Sequence, residues 1–94
     1  MRLKILGKCW NVSFVPRLAR DVYGDCDPPD SRRKQIRFLK RLRGQHLLEI
    51  LIHECLHAAD WSKDEQWIEQ VAADIARAAF RPELRRRIFE PPQS

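Results

Sequence analysis

The hydrophobic pattern of this chain changes its period near Arg43, and that change limits the folds open to it. Before Arg43, short segments alternate between polar and apolar residues, as β-strands with one buried face do. After Arg43, apolar residues recur every three or four positions, which is the spacing of an amphipathic helix. A strand-forming part followed by a helical part predicts an α+β domain.

Three segments of the first part have the length and pattern of strands. Residues 2–6 and 10–15 lie on either side of Gly7 and are typical of a hairpin. Residues 23–31 combine glycine, aspartates and two prolines, so we expect an irregular loop there. Residues 35–39 alternate again and are flanked by charge, which indicates an edge strand. The prediction is a small antiparallel or mixed sheet of about three strands.

The second part predicts three helices: a long helix that carries two histidines, a glutamate-bearing helix and a short C-terminal helix. Ser62 and Glu65 have the Ser-x-x-Glu spacing of a capping box, so the second helix should begin there and continue to about Phe80. Pro82 suits the first turn of the short last helix. The first helix should span about residues 45–59, with an apolar face made of Leu48, Leu51, Ile52, Cys55 and Ala59.

Composition narrows the class of protein. The chain has 94 residues, 44% hydrophobic and 33% charged, which predicts one soluble globular domain over residues 1–94. No apolar run approaches the roughly 18–20 residues that cross a bilayer, so we expect no membrane contact. Residues 1–10 do not have the pattern of a secretory signal, and three cysteines is an odd number at scattered spacing. Both features favour a reducing compartment, and we expect a cytoplasmic protein.

The net charge of +5 is unevenly distributed along the chain. Basic residues concentrate in residues 32–43 and residues 81–87. Such segments can bind nucleic acid or an acidic protein partner, although a solvated surface is the commoner explanation for a run of charges.

Two of the three histidines lie four residues apart, in His53-Glu54-Cys55-Leu56-His57. On a helix, this spacing places both side chains on one face with their β-carbons about 5–6 Å apart, so both imidazoles can bind one metal ion. The HExxH pattern on a helix is typical of zinc sites in which the glutamate is a general base. It predicts that His53 and His57 bind Zn2+ and that Glu54 takes a proton from a metal-activated water.

A catalytic zinc usually has three protein ligands and one open position. If the second helix returns antiparallel to the first, Glu65 reaches about the level of His57, although a capping role would by itself explain this glutamate. Glu69, one turn later, is nearer to the level of His53. We expect Glu65 to be the third ligand. Glu69 remains an alternative ligand, or it accepts a hydrogen bond from one of the imidazoles.

HECLH followed by Glu65-x-x-x-Glu69 resembles the gluzincin branch of zinc metallopeptidases, in which HExxH precedes a helix bearing E-x-x-x-D. The chain is most similar to the very small members, the minigluzincins, and the resemblance covers residues 35–80. It implies a zincin-like fold and a zinc-dependent peptidase. It also implies the same roles for the motif residues: His53, His57 and Glu65 as zinc ligands and Glu54 as general base.

In this family an edge strand above the cleft binds an extended peptide by strand addition, and residues 35–39 would bind a peptide or protein substrate here. The chain departs from the family pattern in two ways. Glu69 stands where the family has aspartate, and the segment between His57 and Glu65 is short. The family also places a tyrosine or histidine to stabilise the oxyanion, and Tyr23, the only tyrosine, is the candidate for that role.

Three other residues near the motif carry reactive groups. His46, the remaining histidine, lies two turns before His53 on the same helical face. Cys55 falls on the predicted core face, where it fills space. Cys26, in the acidic loop, could approach the metal and block its open position, in which case replacing it with alanine should raise activity.

The expected function is therefore zinc-dependent hydrolysis of peptide bonds. The alternative is a non-catalytic or regulatory module, in which the metal joins two helices and the basic segments bind nucleic acid or a protein partner. A structural metal site needs only ligands, so the adjacent Glu54 favours catalysis.

Overall fold

The structure is a computed structural model that describes residues 1–90, so the last four residues of the expected domain lie outside the described part. Four strands precede three helices, which confirms the α+β class and corrects the strand number from about three to four. The strands are β1 (Arg2–Ile5), β2 (Lys8–Val15), β3 (Gly24–Cys26) and β4 (Gln35–Leu39). The helices are α1 (Gly44–Ala59), α2 (Glu65–Ala79) and α3 (Pro82–Phe89).

The predicted hairpin joins β1 and β2, and its turn lies one residue earlier than Gly7-Lys8. Leu6 and Gly7 are the two turn residues, because Ile5 pairs with Lys8. Both have positive φ, 49° and 79°, as a turn that matches the twist of the two strands requires. Glycine takes this conformation easily, whereas Leu6 takes it with strain and leaves its side chain exposed.

The sheet has the order β1-β2-β4-β3, which shows that residues 35–39 do not form an edge strand. β4 runs parallel to β2 on one side, with Val12 opposite Ile36. On its other side it runs antiparallel to β3, with Asp25 opposite Arg37. The expectation of an edge position was wrong because part of the predicted loop 23–31 is itself a strand.

Contacts distant in sequence hold β3 in the sheet. Arg37 Nη1 donates to Asp25 Oδ1 at 2.6 Å, and Arg37 Nη2 lies 3.4 Å from Asp27 Oδ1. Asp27 Oδ2 accepts a hydrogen bond from the Gln35 backbone N–H at 3.0 Å. The backbone carbonyl oxygen of Asp27 accepts one from Trp10 Nε1 at 3.2 Å. A three-residue strand with no alternation needs such partners, since its own pattern does not favour a strand.

The main core lies between one face of the sheet and α1. It contains Trp10, Val12, Ile36, Phe38, Leu39, Leu42 and Ala58. Helix α2 packs against α1 through Ile68, Ala72 and Ala76, which are fully buried. Because α1 is covered by the sheet and by α2, residues 47–59 are all buried or half-buried. The predicted single apolar face of this helix is therefore wider than expected.

The start of α2 differs from the predicted capping box. Asp64 is the N-cap, and its Oδ2 accepts a hydrogen bond from the Trp67 backbone N–H at 3.1 Å. The Ser62 hydroxyl instead donates to Asp60 Oδ1 at 2.6 Å, within the turn between the helices. Glu65 is thus the first residue of α2, and its carboxylate has no capping role.

Helix α3 begins at the predicted proline and is exposed along its length. Among residues 1–90, no helix combines the length and the apolar character needed to cross a membrane.

Candidate metal centre

Three side chains from the two long helices converge at one point, and we call them the metal group because they could hold a metal ion: His53, His57 and Glu65. His53 Nε2 and His57 Nε2 are 3.1 Å apart. Glu65 Oε1 lies 2.9 Å from His53 Nε2, and Glu65 Oε2 lies 2.9 Å from His57 Nε2. Within residues 1–90 these three side chains form the one group of histidine, cysteine or acidic residues placed to hold a metal ion, each offering one ligand atom within 4.8 Å of the others.

The spacing and the chemistry of this group fit a divalent metal ion. Ligand atoms about 2.0–2.1 Å from a tetrahedral zinc are about 3.3 Å from one another, close to the 2.9–3.1 Å observed. Two imidazole nitrogens and one carboxylate are a ligand set found at catalytic zinc sites. The histidine side chains are 17% exposed and that of Glu65 is 60% exposed, so the group opens to solvent on the side of α2.

Local structure explains why these three side chains meet. His53 and His57 are one turn apart on α1, so their rings lie side by side with centroids 4.8 Å apart. The short turn after Ala59 sends α2 back along α1, and the cap at Asp64 starts the helix at Glu65. The structure thus brings the expected ligand Glu65 to the imidazoles. Glu69 lies outside the group and lines the depression beside it.

Glu54 is the only charged residue that is buried within residues 1–90, with 5% of its surface exposed. Burial, followed by the nearby charges of Asp25 and Glu65, raises the pKa of this carboxyl group to about 7. Within the described chain its carboxylate forms no hydrogen bond or ion pair. A carboxyl group with a pKa near neutrality can accept and return a proton at physiological pH.

Gly24, the first residue of β3, packs directly on α1 above this carboxylate. A β-carbon at this position would lie 2.6 Å from Ile50 Cγ2, 3.2 Å from the Arg37 carbonyl oxygen and 3.3 Å from Glu54 Oε2. Only glycine lets the strand approach the helix so closely. The sequence analysis missed Gly24 because it placed this residue in a loop. The glycine itself was the available signal, because an isolated glycine in a strand can mark a place where the backbone closely approaches a neighbouring element.

Two depressions flank the three converging side chains, and both include Gly24, His53, Glu54 and Glu65 in their walls. The first, of about 430 Å3, is completed by Asp25, Cys26, His57, Trp61 and Lys63. The second, of about 370 Å3, extends towards the start of α1 and includes Tyr23, His46, Glu49 and Glu69. The group is therefore open to a ligand from two sides.

Tyr23 lies beside the site, in the wall of the second depression. Its ring packs on His46 with centroids 4.7 Å apart, and the Arg41 guanidinium lies 5.7 Å from the centroid of the Tyr23 ring. Tyr23, the only tyrosine of the sequence, and His46, the histidine outside the motif, are thus in contact with each other.

Cys26 lines the first depression but does not belong to the converging group. Its thiol donates a hydrogen bond to the Asp27 carbonyl oxygen at 3.3 Å. Burial, followed by the nearby Glu54 and Asp27 charges, raises the pKa of this thiol to about 12. Cys55 is half-buried on α1, in keeping with a packing role.

The two basic segments differ in the structure. Residues 32–43 include β4, where Ile36 and Phe38 are buried and Arg37 is paired with Asp25. This segment is therefore not a continuous basic surface. In residues 81–87, by contrast, every residue is exposed on or next to α3.

Comparison of the chain with protein-family models, curated proteins and solved structures finds no match in any of the three.

Proposed function

We propose that this protein is a zinc-dependent metallopeptidase with a minimal zincin-like domain of the gluzincin type. The observation that carries the proposal is the convergence of His53, His57 and Glu65 beside a buried glutamate that belongs to the same helix but not to the ligand group. Two observations support it: the HExxH spacing of residues 53–57 in the sequence, and the position of Glu65 beside the two imidazoles in space.

In this proposal the two histidines and Glu65 hold the metal. Zinc bound there supplies a Lewis acid, which polarises the carbonyl of the scissile peptide bond and lowers the pKa of a water molecule towards about 7. Glu54 takes a proton from the attacking water and returns it to the leaving amine. Without a metal, the pKa of this carboxyl group is raised to about 7, chiefly by burial.

The position of Glu54 favours catalysis over a purely structural metal site. Burial of most of this side chain disfavours the charged form of its carboxyl group and so raises its pKa. A metal that only joins α1 and α2 gains nothing from such a residue. Perturbed carboxyl groups of this kind concentrate at functional sites, because proton transfer needs a pKa near the working pH.

The strand that would bind the substrate is β3, rather than residues 35–39. Within the described chain, β3 pairs with β4 on one side only. It begins at Gly24, against Glu54, so a peptide added to its free edge would lie close to the metal group. The role that the sequence analysis gave to residues 35–39 passes to β3 because β3 occupies the edge.

Tyr23 directly precedes β3 and is the candidate donor to the oxyanion of the substrate. It lies in the same depression as His53 and Glu54, with 37% of its surface exposed. Its contact with His46 orients the ring on the wall of this depression.

The proposal is tested by combining metal analysis with peptide cleavage. We expect about one zinc per chain and cleavage of members of a mixed peptide library, detected by mass spectrometry. Glu54→Gln should keep the zinc and lose cleavage, because it leaves the ligands in place and removes the base. Glu83→Gln, on exposed α3, is the matched control and should retain both. Cleavage by Glu54→Gln at the wild-type rate would contradict the proposed mechanism.

A further inference from the structure

The depression that extends from the metal group towards the start of α1 is strongly acidic, and we call it the acidic depression. Its walls carry five carboxylates and two histidines, and among the described residues they include no lysine or arginine. The carboxylates belong to Asp21, Glu49, Glu54, Glu65 and Glu69. This composition is unexpected in a chain whose net charge is +5.

Two of these carboxylates hold matching positions on the facing helices. Glu49 precedes His53 by four residues on α1, and Glu69 follows Glu65 by four residues on α2. Because α2 returns along α1, both lie one helical turn, about 5.4 Å, from the ligand group in the same direction. Within residues 1–90 neither forms an ion pair, so their charges are not neutralised by the protein.

Two further observations indicate that the acidic depression receives a ligand. Glu54, with 5% of its surface exposed, has no hydrogen-bond or ion-pair partner among residues 1–90 and lines this space as well as the first depression. The rings of Tyr23 and His46, with centroids 4.7 Å apart, form an aromatic part of the same wall. An aromatic face beside carboxylates suits a long side chain that is apolar along its stem and positively charged at its end.

We infer that the acidic depression binds the side chain of a lysine or arginine residue next to the scissile bond. This inference rests on the proposed function, because the metal group fixes where the scissile bond lies. The other depression is a poorer receptor for a cation, since its wall includes Lys63, and its Asp25 is already paired with Arg37. Substrate selection thus comes from the charge difference between the two sides of the metal group.

The test uses two small probes that share the same side-chain stem and differ in the positively charged amine at its end. N-acetyl-lysine hydroxamate and N-acetyl-norleucine hydroxamate both bind zinc through the hydroxamate, and only the first carries an amine at the end of its side chain. We expect the zinc-loaded wild type to bind the lysine probe about tenfold more tightly by calorimetry at low salt, because its ammonium group can pair with more than one carboxylate. The preference should shrink in 0.5 M salt, which screens the pairing.

Variants of Glu49 locate the source of the preference. Glu49→Gln should reduce it about threefold, and Glu49→Lys should abolish it, whereas Glu83→Gln on α3 should leave it unchanged. Equal affinities of the wild type for the two probes, or no binding of either, would overturn the inference. So would a preference that Glu49→Lys does not change.

The same experiment separates this inference from the proposed function. If the lysine probe is preferred and no peptide is cleaved, the peptidase proposal fails while the specificity of the depression stands. If peptides are cleaved with no preference for lysine or arginine beside the bond and the two probes bind equally, the peptidase proposal stands and the specificity is wrong.

Discussion

Gly24 and Glu54 lie so close together that a β-carbon on Gly24 would stand 3.3 Å from Glu54 Oε2. The same β-carbon would stand 2.6 Å from Ile50 Cγ2, a separation that real side chains do not tolerate. The edge strand of the sheet therefore rests on the helix that carries the HExxH motif, directly above the buried carboxylate. This contact links the strand, the proposed base and the metal group in one small region.

Gly24→Ala should destabilise the protein by about 1–3 kcal/mol, because the added methyl group forces strand and helix apart. Urea unfolding followed by circular dichroism measures the change. Ile50→Leu removes the Cγ2 branch and provides the matched test. The double variant should lose less stability than the sum of the two single variants. Strict additivity would show that the contact between Gly24 and Ile50 is not the cause.

Glu65→Gln and Glu69→Gln should separate the two candidate ligands. We expect Glu65→Gln to weaken zinc binding at least about tenfold, because a neutral amide is a poorer ligand than a carboxylate. Zinc should accordingly raise the melting temperature of the wild type more than that of this variant. Glu69→Gln should behave like the wild type in both measurements. A zinc loss confined to Glu69→Gln would assign the ligand to Glu69 instead.

Cys26 should react slowly with alkylating reagents, and its rate should keep rising with pH. Burial and nearby carboxylates disfavour the thiolate, so its pKa is raised to about 12 and the reactive form becomes common only at high pH. At pH 8, iodoacetamide should modify Cys26 at least about 100-fold more slowly than exposed Cys9 in metal-free protein. Mass spectrometry of variants that each retain one of the two thiols gives the rates. Equal rates at pH 8 would contradict the description of this site.

Asp64→Ala should destabilise the protein by about 0.5–2 kcal/mol, the usual effect of losing a helix N-cap. Its carboxylate accepts the Trp67 backbone N–H, and alanine leaves that donor without its partner. Asp64→Asn is the control, because asparagine also caps helices and should preserve most of the stability. Ser62→Ala should have a smaller effect, since Ser62 lies in the turn. The reverse order of effects would restore Ser62 as the cap.

Replacing Cys26 with alanine tests the blocking role that its sequence position suggested. The thiol lies in the wall of a depression beside the metal group and donates to a backbone carbonyl. If it also covers the open metal position, Cys26→Ala should raise peptide cleavage several-fold, whereas Cys9→Ala should leave it unchanged. Unchanged cleavage in Cys26→Ala would exclude this role.

Features that depend on neighbouring residues were accessible from the sequence alone. The three helices begin and end close to where the apolar spacing and Pro82 predict, because helical contacts join residues three or four apart. The pairing of His53 with His57 follows from the same local geometry. The proposed base and two of the three candidate ligands could therefore be named before any fold was known.

The tertiary structure decided the features that join distant segments. The residue pattern of β3 does not indicate a strand. Hydrogen bonds from Arg37 to Asp25 and Asp27, and from Trp10 to Asp27, hold this segment against the sheet, and they join residues 10 to 17 positions apart. The position of residues 35–39 inside the sheet follows from that pairing. Whether Glu65 or Glu69 meets the imidazoles depends on where Asp64 starts α2 and how α2 packs on α1. Sequence spacing limits such choices, but only the packing of separate elements in space selects one of them.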